Sequence, residues 1–319
     1  MNQAMVAGVL EMNMNAWEEY AVPVGAHPRM IGIVSRPARG EQRPRTTAVV
    51  LLGAGLVHHV GPNRLMVLLA RRLAARGIAS LRFDHRGIGD SAPRADGQSF
   101  EAGAVGEARE VMDHLQASEA KDAFVVLGIC SGAETALNVA LADPRVVGVG
   151  MINGGGQGAG SAWDTYEYAR GQVRHYVRHA VFNLDSWRRA LTGRIQYRRL
   201  FAALVLRMRN GLSPPEEVAS AARETAGDVE GLAARGVRLL WVHSEKDFSR
   251  DYFETMFGKD AGRLTASGLV RTEVIPYIDH TLTARHGQER FLDIVENWLG
   301  DFGRNADGDA DAIARMVAR

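Results

Sequence analysis

The residues best suited to chemistry begin with the chain's one cysteine. Cys130 stands in Gly128-Ile129-Cys130-Ser131-Gly132-Ala133, directly after the apolar run Val125-Val126-Leu127. Where a strand turns sharply into a helix, the residue at the bend sits on strained backbone and the positions two before and two after it are crowded. Glycine relieves that crowding because it has no Cβ. With Cys130 at the bend, those positions are Gly128 and Gly132; with Ser131 they would be Ile129 and Ala133, which would clash. The pattern points to Cys130 as a nucleophile. A thiolate is the reactive form, and a helix N-terminus and an imidazolium both favour it. The plain alternative is a buried structural cysteine in a glycine-rich turn.

A nucleophile of this kind needs a general base within hydrogen-bond reach, and a third group to orient the base. His280 lies in Asp279-His280-Thr281, just past the apolar segment 270–275, and Asp247 lies just past the apolar segment 237–243. The order Cys130, Asp247, His280, each beyond its own strand, is the order of a nucleophile–acid–histidine triad. Asp251 and Glu245 stay open as alternatives for the acid, and Asp279 is expected to serve the loop backbone. The chemistry implied is acyl transfer through a covalent acyl-cysteine.

Such a reaction needs donors for an oxyanion. The backbone N–H of Ser131, at the opening of the helix, is one. Gly55 or Leu56, in Gly53-Ala54-Gly55-Leu56-Val57-His58-His59, supplies the other. His58 and His59 are candidates for substrate contact or for packing inside the loop. No third metal ligand stands at a suitable spacing from them, so no metal and no other cofactor is expected. Arg82-Phe83-Asp84-His85-Arg86-Gly87-Ile88-Gly89-Asp90-Ser91 lacks the helix-opening third glycine of a phosphate cradle. Asp84, Arg86 and Asp90 are therefore expected to form a structural charge network.

These groups must be positioned by regular elements. Apolar periodicity and turn signals predict strands at 18–24, 29–35, 47–52, 78–83, 123–127, 146–152, 237–243 and 270–275. Helices are predicted at 61–76, 100–116, from just after Cys130 to residue 142, and at 285–299. Strands alternating with helices imply an α/β fold with a mostly parallel sheet flanked by helices. Residues 154–235 break the alternation and read as a helical cap over the edge where open α/β sheets bind ligands. The organisation expected is core at 1–153, cap at 154–235, core again at 236–300, and a polar tail at 301–319.

The bulk properties exclude several classes. With 319 residues, 46% hydrophobic and 24% charged, the chain can bury a large core. A net charge of +1 gives no global reason to expect nucleic acid. No run of about 18 apolar residues suggests a membrane span, residues 1–17 do not read as a secretory leader, and a single cysteine suits a reducing cytoplasm. Between residues 161 and 210, ten arginines face three acidic residues. That excess, including Arg198 and Arg199, suits docking of an acidic acyl-carrier protein or the phosphates of coenzyme A, although solvated helix faces would give the same composition.

Taken together, the Arg82–Ser91 loop, the elbow and Asp279-His280-Thr281 make the chain resemble the α/β-hydrolase superfamily over most of its length. Val60-Gly61-Pro62-Asn63-Arg64, the Gly128–Ala133 elbow and Phe182-Asn183-Leu184-Asp185-Ser186-Trp187 are similar to exosortase-A-associated hydrolases and to hydrolases encoded beside polyketide and nonribosomal peptide genes. The resemblance implies a triad of Cys130, His280 and Asp247. Three functions compete: an acyltransferase or thioesterase on an acyl thioester, a small ester or lactone hydrolase of the dienelactone type, and a non-catalytic accessory protein.

Overall fold

A computed structural model of the chain describes residues 17–25, 29–38, 46–154, 216–245, 247–258, 265–300 and 302. Cap residues 155–215, including Arg198 and Arg199, and most of the 301–319 tail lie outside the described residues. The chain divides into two compact units. The first comprises Met1–Gly154, Glu230–Asp247 and Gly262–Arg319, and the second Gly155–Val229 and Phe248–Ala261.

The first unit is built on an eight-stranded sheet: β1 (Trp17–Val24), β2 (Met30–Pro37), β3 (Thr47–Leu52), β4 (Ser80–Phe83), β5 (Ala123–Ile129), β6 (Val146–Ile152), β7 (Arg238–Ser244) and β8 (Val270–Ile275). Their order across the sheet is β1-β2-β4-β3-β5-β6-β7-β8. β2 runs antiparallel to β1 and β4, and from β4 to β8 every neighbouring pair is parallel. The central strands are continuous apolar runs because both faces are covered, as parallel sheets require. β8, which has a single strand neighbour among the described residues, alternates instead. Its Arg271 and Glu273 are half-buried and paired at 2.7 Å.

The helices of this unit are α1 (Leu65–Ala75), α2 (Phe100–Glu119), α3 (Ser131–Ala142) and α6 (Arg285–Gly300). Leu65, Leu69 and Leu73 recur at helical spacing on α1 and join Val49, Leu51, Val125, Leu127 and Ile129 of the sheet in one core. Phe291, Ile294, Val295 and Trp298 of α6 complete it. α3 packs on β5 and β6 and against α2. α1 stops where the sequence says it should. Gly77 takes φ +80°, and the N–H groups of Gly77 and Ile78 donate to the Ala74 and Leu73 carbonyls, satisfying the last turn. Its start differs from expectation: Pro62–Arg64 form a 3-10 turn with Asn63 and Arg64 at positive φ, so the α-helix begins only at Leu65.

In the second unit the described residues are α5 (Ser249–Phe257) and α4 (Glu216–Ala234) as far as Val229. No helix among the described residues is long and apolar enough to cross a membrane.

Candidate active site

β5 delivers Cys130 to the C-terminal edge of the sheet. Its backbone takes φ 56° and ψ −122°, a combination L residues rarely adopt, and it caps α3. The Cys130 N–H donates to the Ile152 carbonyl at 2.8 Å, which ties the bend to the end of β6. The two flanking glycines are needed for different reasons. A Cβ on Gly128 would strike the Gly132 carbonyl, and one on Gly132 would strike the carbonyls of Gly53 and Leu52. The crowding is thus between the bend's own backbone and the end of β3.

The half-buried Cys130 thiol shares a hydrogen bond with His280. On the ring's far side Nδ1 lies 2.5 Å from Asp247 Oδ2. The two groups shift each other in a consistent sense. The bond to His280 holds the Cys130 thiol below its ordinary range, against burial, and the Ser131 backbone N–H adds to the effect. The bond to Asp247, and then that to Cys130, push His280 up to about 10. The two shifts favour a thiolate–imidazolium pair backed by a carboxylate.

The other acids have separate engagements. Asp279 Oδ1 accepts from the Thr283 N–H at 2.8 Å, and Glu245 Oε2 accepts from the Tyr277 N–H at 2.8 Å. Asp251 falls in α5, in the second unit. The carboxylate hydrogen-bonded to the ring is that of Asp247.

Around the sulfur, the Ser131 N–H faces Cys130, while Ser131 Oγ accepts from the Gly55 N–H at 2.6 Å. Of the two residues expected to offer a second donor, Gly55 is engaged in this way. The Leu56 N–H has no partner among the described residues, and the Leu56 side chain is exposed.

His58 and His59 close on Asp84 and Asp90, a juxtaposition that sequence spacing hid. The Asp84 carboxylate accepts from the His59 N–H at 2.5 Å and the Asp90 N–H at 3.0 Å, and lies 2.8 Å from His59 Nδ1. His58 Nε2 lies 3.2 Å from Asp90 Oδ2. Burial alone would raise the Asp84 carboxyl, but these hydrogen bonds outweigh it and hold the group low. The ligand atoms of all four lie within 4.8 Å of one another. The expectation that no third ligand stands within reach of the two histidines thus needs correction: β3 and β4 are adjacent, so the loops that follow them meet. The expected Asp84–Arg86–Asp90 network is corrected too. Arg86 pairs instead with Glu110 on α2, at 2.7 Å and 3.0 Å.

Two residues that the sequence reading passed over also sit here. Asn153, just past β6, has φ 48°, and Ser244 ends β7; both are buried. Their one sequence signal is the polar residue at the end of an apolar strand.

A family model described as serine aminopeptidase, S33, matches residues 44–159. No curated protein sequence matches the chain. Among solved structures, proline iminopeptidase from Mycobacterium smegmatis is similar at 17% identity and a TM-score of 0.56, over 91% of this chain and 100% of that one. VinJ is similar at 17% identity and a TM-score of 0.52, over 89% and 98%. Hypothetical protein PA2218 from Pseudomonas aeruginosa matches at 15% identity and a TM-score of 0.54, over 88% and 94%. Together with the sheet order and the elbow, these likenesses establish the α/β-hydrolase fold. Within the matched segment the elbow carries cysteine, where the family description speaks of serine.

Proposed function

We propose that the chain is an acyl-transfer enzyme, a thioesterase or acyltransferase, that works through an acyl-Cys130 intermediate on a thioester-activated acyl group. The observation that carries this reading is the hydrogen-bonded Cys130–His280 pair with Asp247 behind it. In the proposed cycle the thiolate adds to the thioester carbonyl, and the oxyanion is held by the Ser131 N–H and by the unengaged Leu56 N–H. Collapse breaks the bond to the leaving sulfur, which takes the proton of the His280 imidazolium. His280, now neutral, accepts a proton from water, an amine or an alcohol as that group attacks the acyl-cysteine. Collapse of this second intermediate breaks the acyl–Sγ bond, releases the product and leaves a thiolate beside the protonated His280, restoring the ion pair.

A thioester fits better than an amide on physical grounds. Exchange between two sulfurs changes little in bond energy, and a thiolate departs with modest help, whereas an amine must be protonated first. The names serine aminopeptidase and proline iminopeptidase therefore do not set the substrate proposed here. The motif likeness to exosortase-associated hydrolases, and to hydrolases encoded beside polyketide and nonribosomal peptide genes, supports biosynthetic acyl chemistry. The ten arginines against three acids in residues 161–210 support an acidic carrier protein or coenzyme A as the substrate's handle.

Intact-mass spectrometry after mixing with a short acyl-coenzyme A tests the proposal. The expected result is an acyl adduct on the wild type, absent from Cys130→Ala and discharged by an added amine or thiol. No adduct and no turnover would overturn it. Turnover of small esters or lactones without transfer would assign the same residues to hydrolysis of the dienelactone type. For the handle, Arg198→Glu with Arg199→Glu is expected to slow carrier-bound but not small substrates, and equal rates would remove docking from the reading.

A further inference from the structure

The loop that bears His280 is anchored one carbonyl at a time. Asp279 O accepts from Ser244 Oγ at 2.8 Å, His280 O accepts from Asn153 Nδ2 at 2.7 Å, and Thr281 O accepts from Asn63 Nδ2 at 3.1 Å. Asn153 is the hub of this set. Its Nδ2 also donates to Ser244 Oγ at 2.7 Å, and its Oδ1 accepts from the Ser244 N–H at 2.7 Å. Its own N–H donates to the Val242 carbonyl at 3.0 Å. Both amide hydrogens and the amide oxygen of a buried side chain are thereby committed, joining the ends of β6 and β7 to the loop after β8.

From this geometry we infer that Asn153, acting with Ser244, is a positioning residue that holds the His280 backbone where the ring can span Asp247 and Cys130. The residue type is specified twice. Asparagine tolerates positive φ better than most residues, and only an amide presents two donors and an acceptor in this arrangement. Aspartate at this place would keep the bond from the Ser244 N–H but have nothing to donate to His280 O or Ser244 Oγ. Cys130 needs the same ring, so a loop that drifts by a fraction of an ångström loosens the ion pair before it disturbs the sheet.

This inference rests on the proposed triad but is read without any acyl substrate. The pH dependence of Cys130 alkylation by iodoacetamide reports the thiolate directly. In Asn153→Gly, which keeps the backbone freedom and removes the amide, the midpoint of that profile is expected to rise by about one unit or more. At pH values well below the midpoint, alkylation should fall about threefold for each unit, the loss of thiolate being partly offset by greater nucleophilicity. Ser244→Ala, which removes only the hydroxyl bridge, is expected to shift the midpoint in the same direction by less, and it decides the matter should Asn153→Gly not fold. A wild-type midpoint in the folded variant overturns the positioning role even if acyl-Cys130 forms. A shifted midpoint without any acyl adduct in the wild type upholds it and sinks the acyl-transfer reading instead.

Discussion

Ser131 Oγ accepts a hydrogen bond from the Gly55 N–H at 2.6 Å, so the residue after Cys130 clasps the loop that follows β3. Its own N–H faces the sulfur. The two roles separate by substitution, because alanine removes the clasp and keeps the backbone donor. Ser131→Ala is expected to lower stability by about 1 kcal/mol and to slow acylation by less than about tenfold. Urea unfolding and single-turnover acylation measure the two effects. An unchanged midpoint would show that the clasp contributes nothing to the fold.

Cys130→Ser exchanges a group that ionises beside an imidazolium for one that does not. With Asp247 still raising it, His280 is the weaker acceptor for a hydroxyl proton at neutral pH. Acylation at pH 7 is expected to drop by at least about 100-fold, as measured by adduct formation. A serine variant as fast as the wild type would exclude the thiolate as nucleophile.

Asp247→Asn removes the largest cause of the raised His280 value. A histidine at about 10 when folded and near its ordinary 6.5 when unfolded stabilises the fold fully below pH 6.5. That stabilisation fades as pH climbs through 10. The stability gap between wild type and variant is therefore expected to be largest at or below pH 6.5 and to close toward pH 10, by denaturant titration at a series of pH values. A gap constant over that range would mean that the carboxylate does not act through the imidazolium. Over the same series, Cys130 in the variant should titrate nearer an ordinary thiol.

Gly128→Ala puts a Cβ into the Gly132 carbonyl, a backbone atom that cannot swing aside as a side chain would. A loss of about 3 kcal/mol is expected, the upper end for overpacking. Denaturant unfolding checks it, and wild-type stability would mean that the bend is looser than the geometry requires.

Much of this was legible from residue order alone. β3 and β6 begin and end at the residues their apolar runs mark, because strands buried on both faces leave no polar residue to blur the limits. The elbow was legible because two glycines at fixed offsets answer a steric demand. What stayed hidden depends on strand order rather than sequence distance. Asp84 meets His59 because β3 and β4 lie side by side, and Asn153 meets His280 across 127 positions of chain. Neither pairing leaves a periodic trace. Arg86 shows the converse: Asp84 and Asp90 lie near it in sequence, yet it reaches across to Glu110 on α2.

The outermost strands bear on how the protein behaves in a crowd. An open sheet margin is a template on which another chain can add itself. On β8, the Arg271–Glu273 pair places both signs of charge along that margin. On β1, Glu18 is held in an ion pair with Arg36, and Pro23 has no N–H to offer. A newcomer strand would have to bury these groups or forgo a bond. Among the described residues, self-templated pairing is discouraged at both margins.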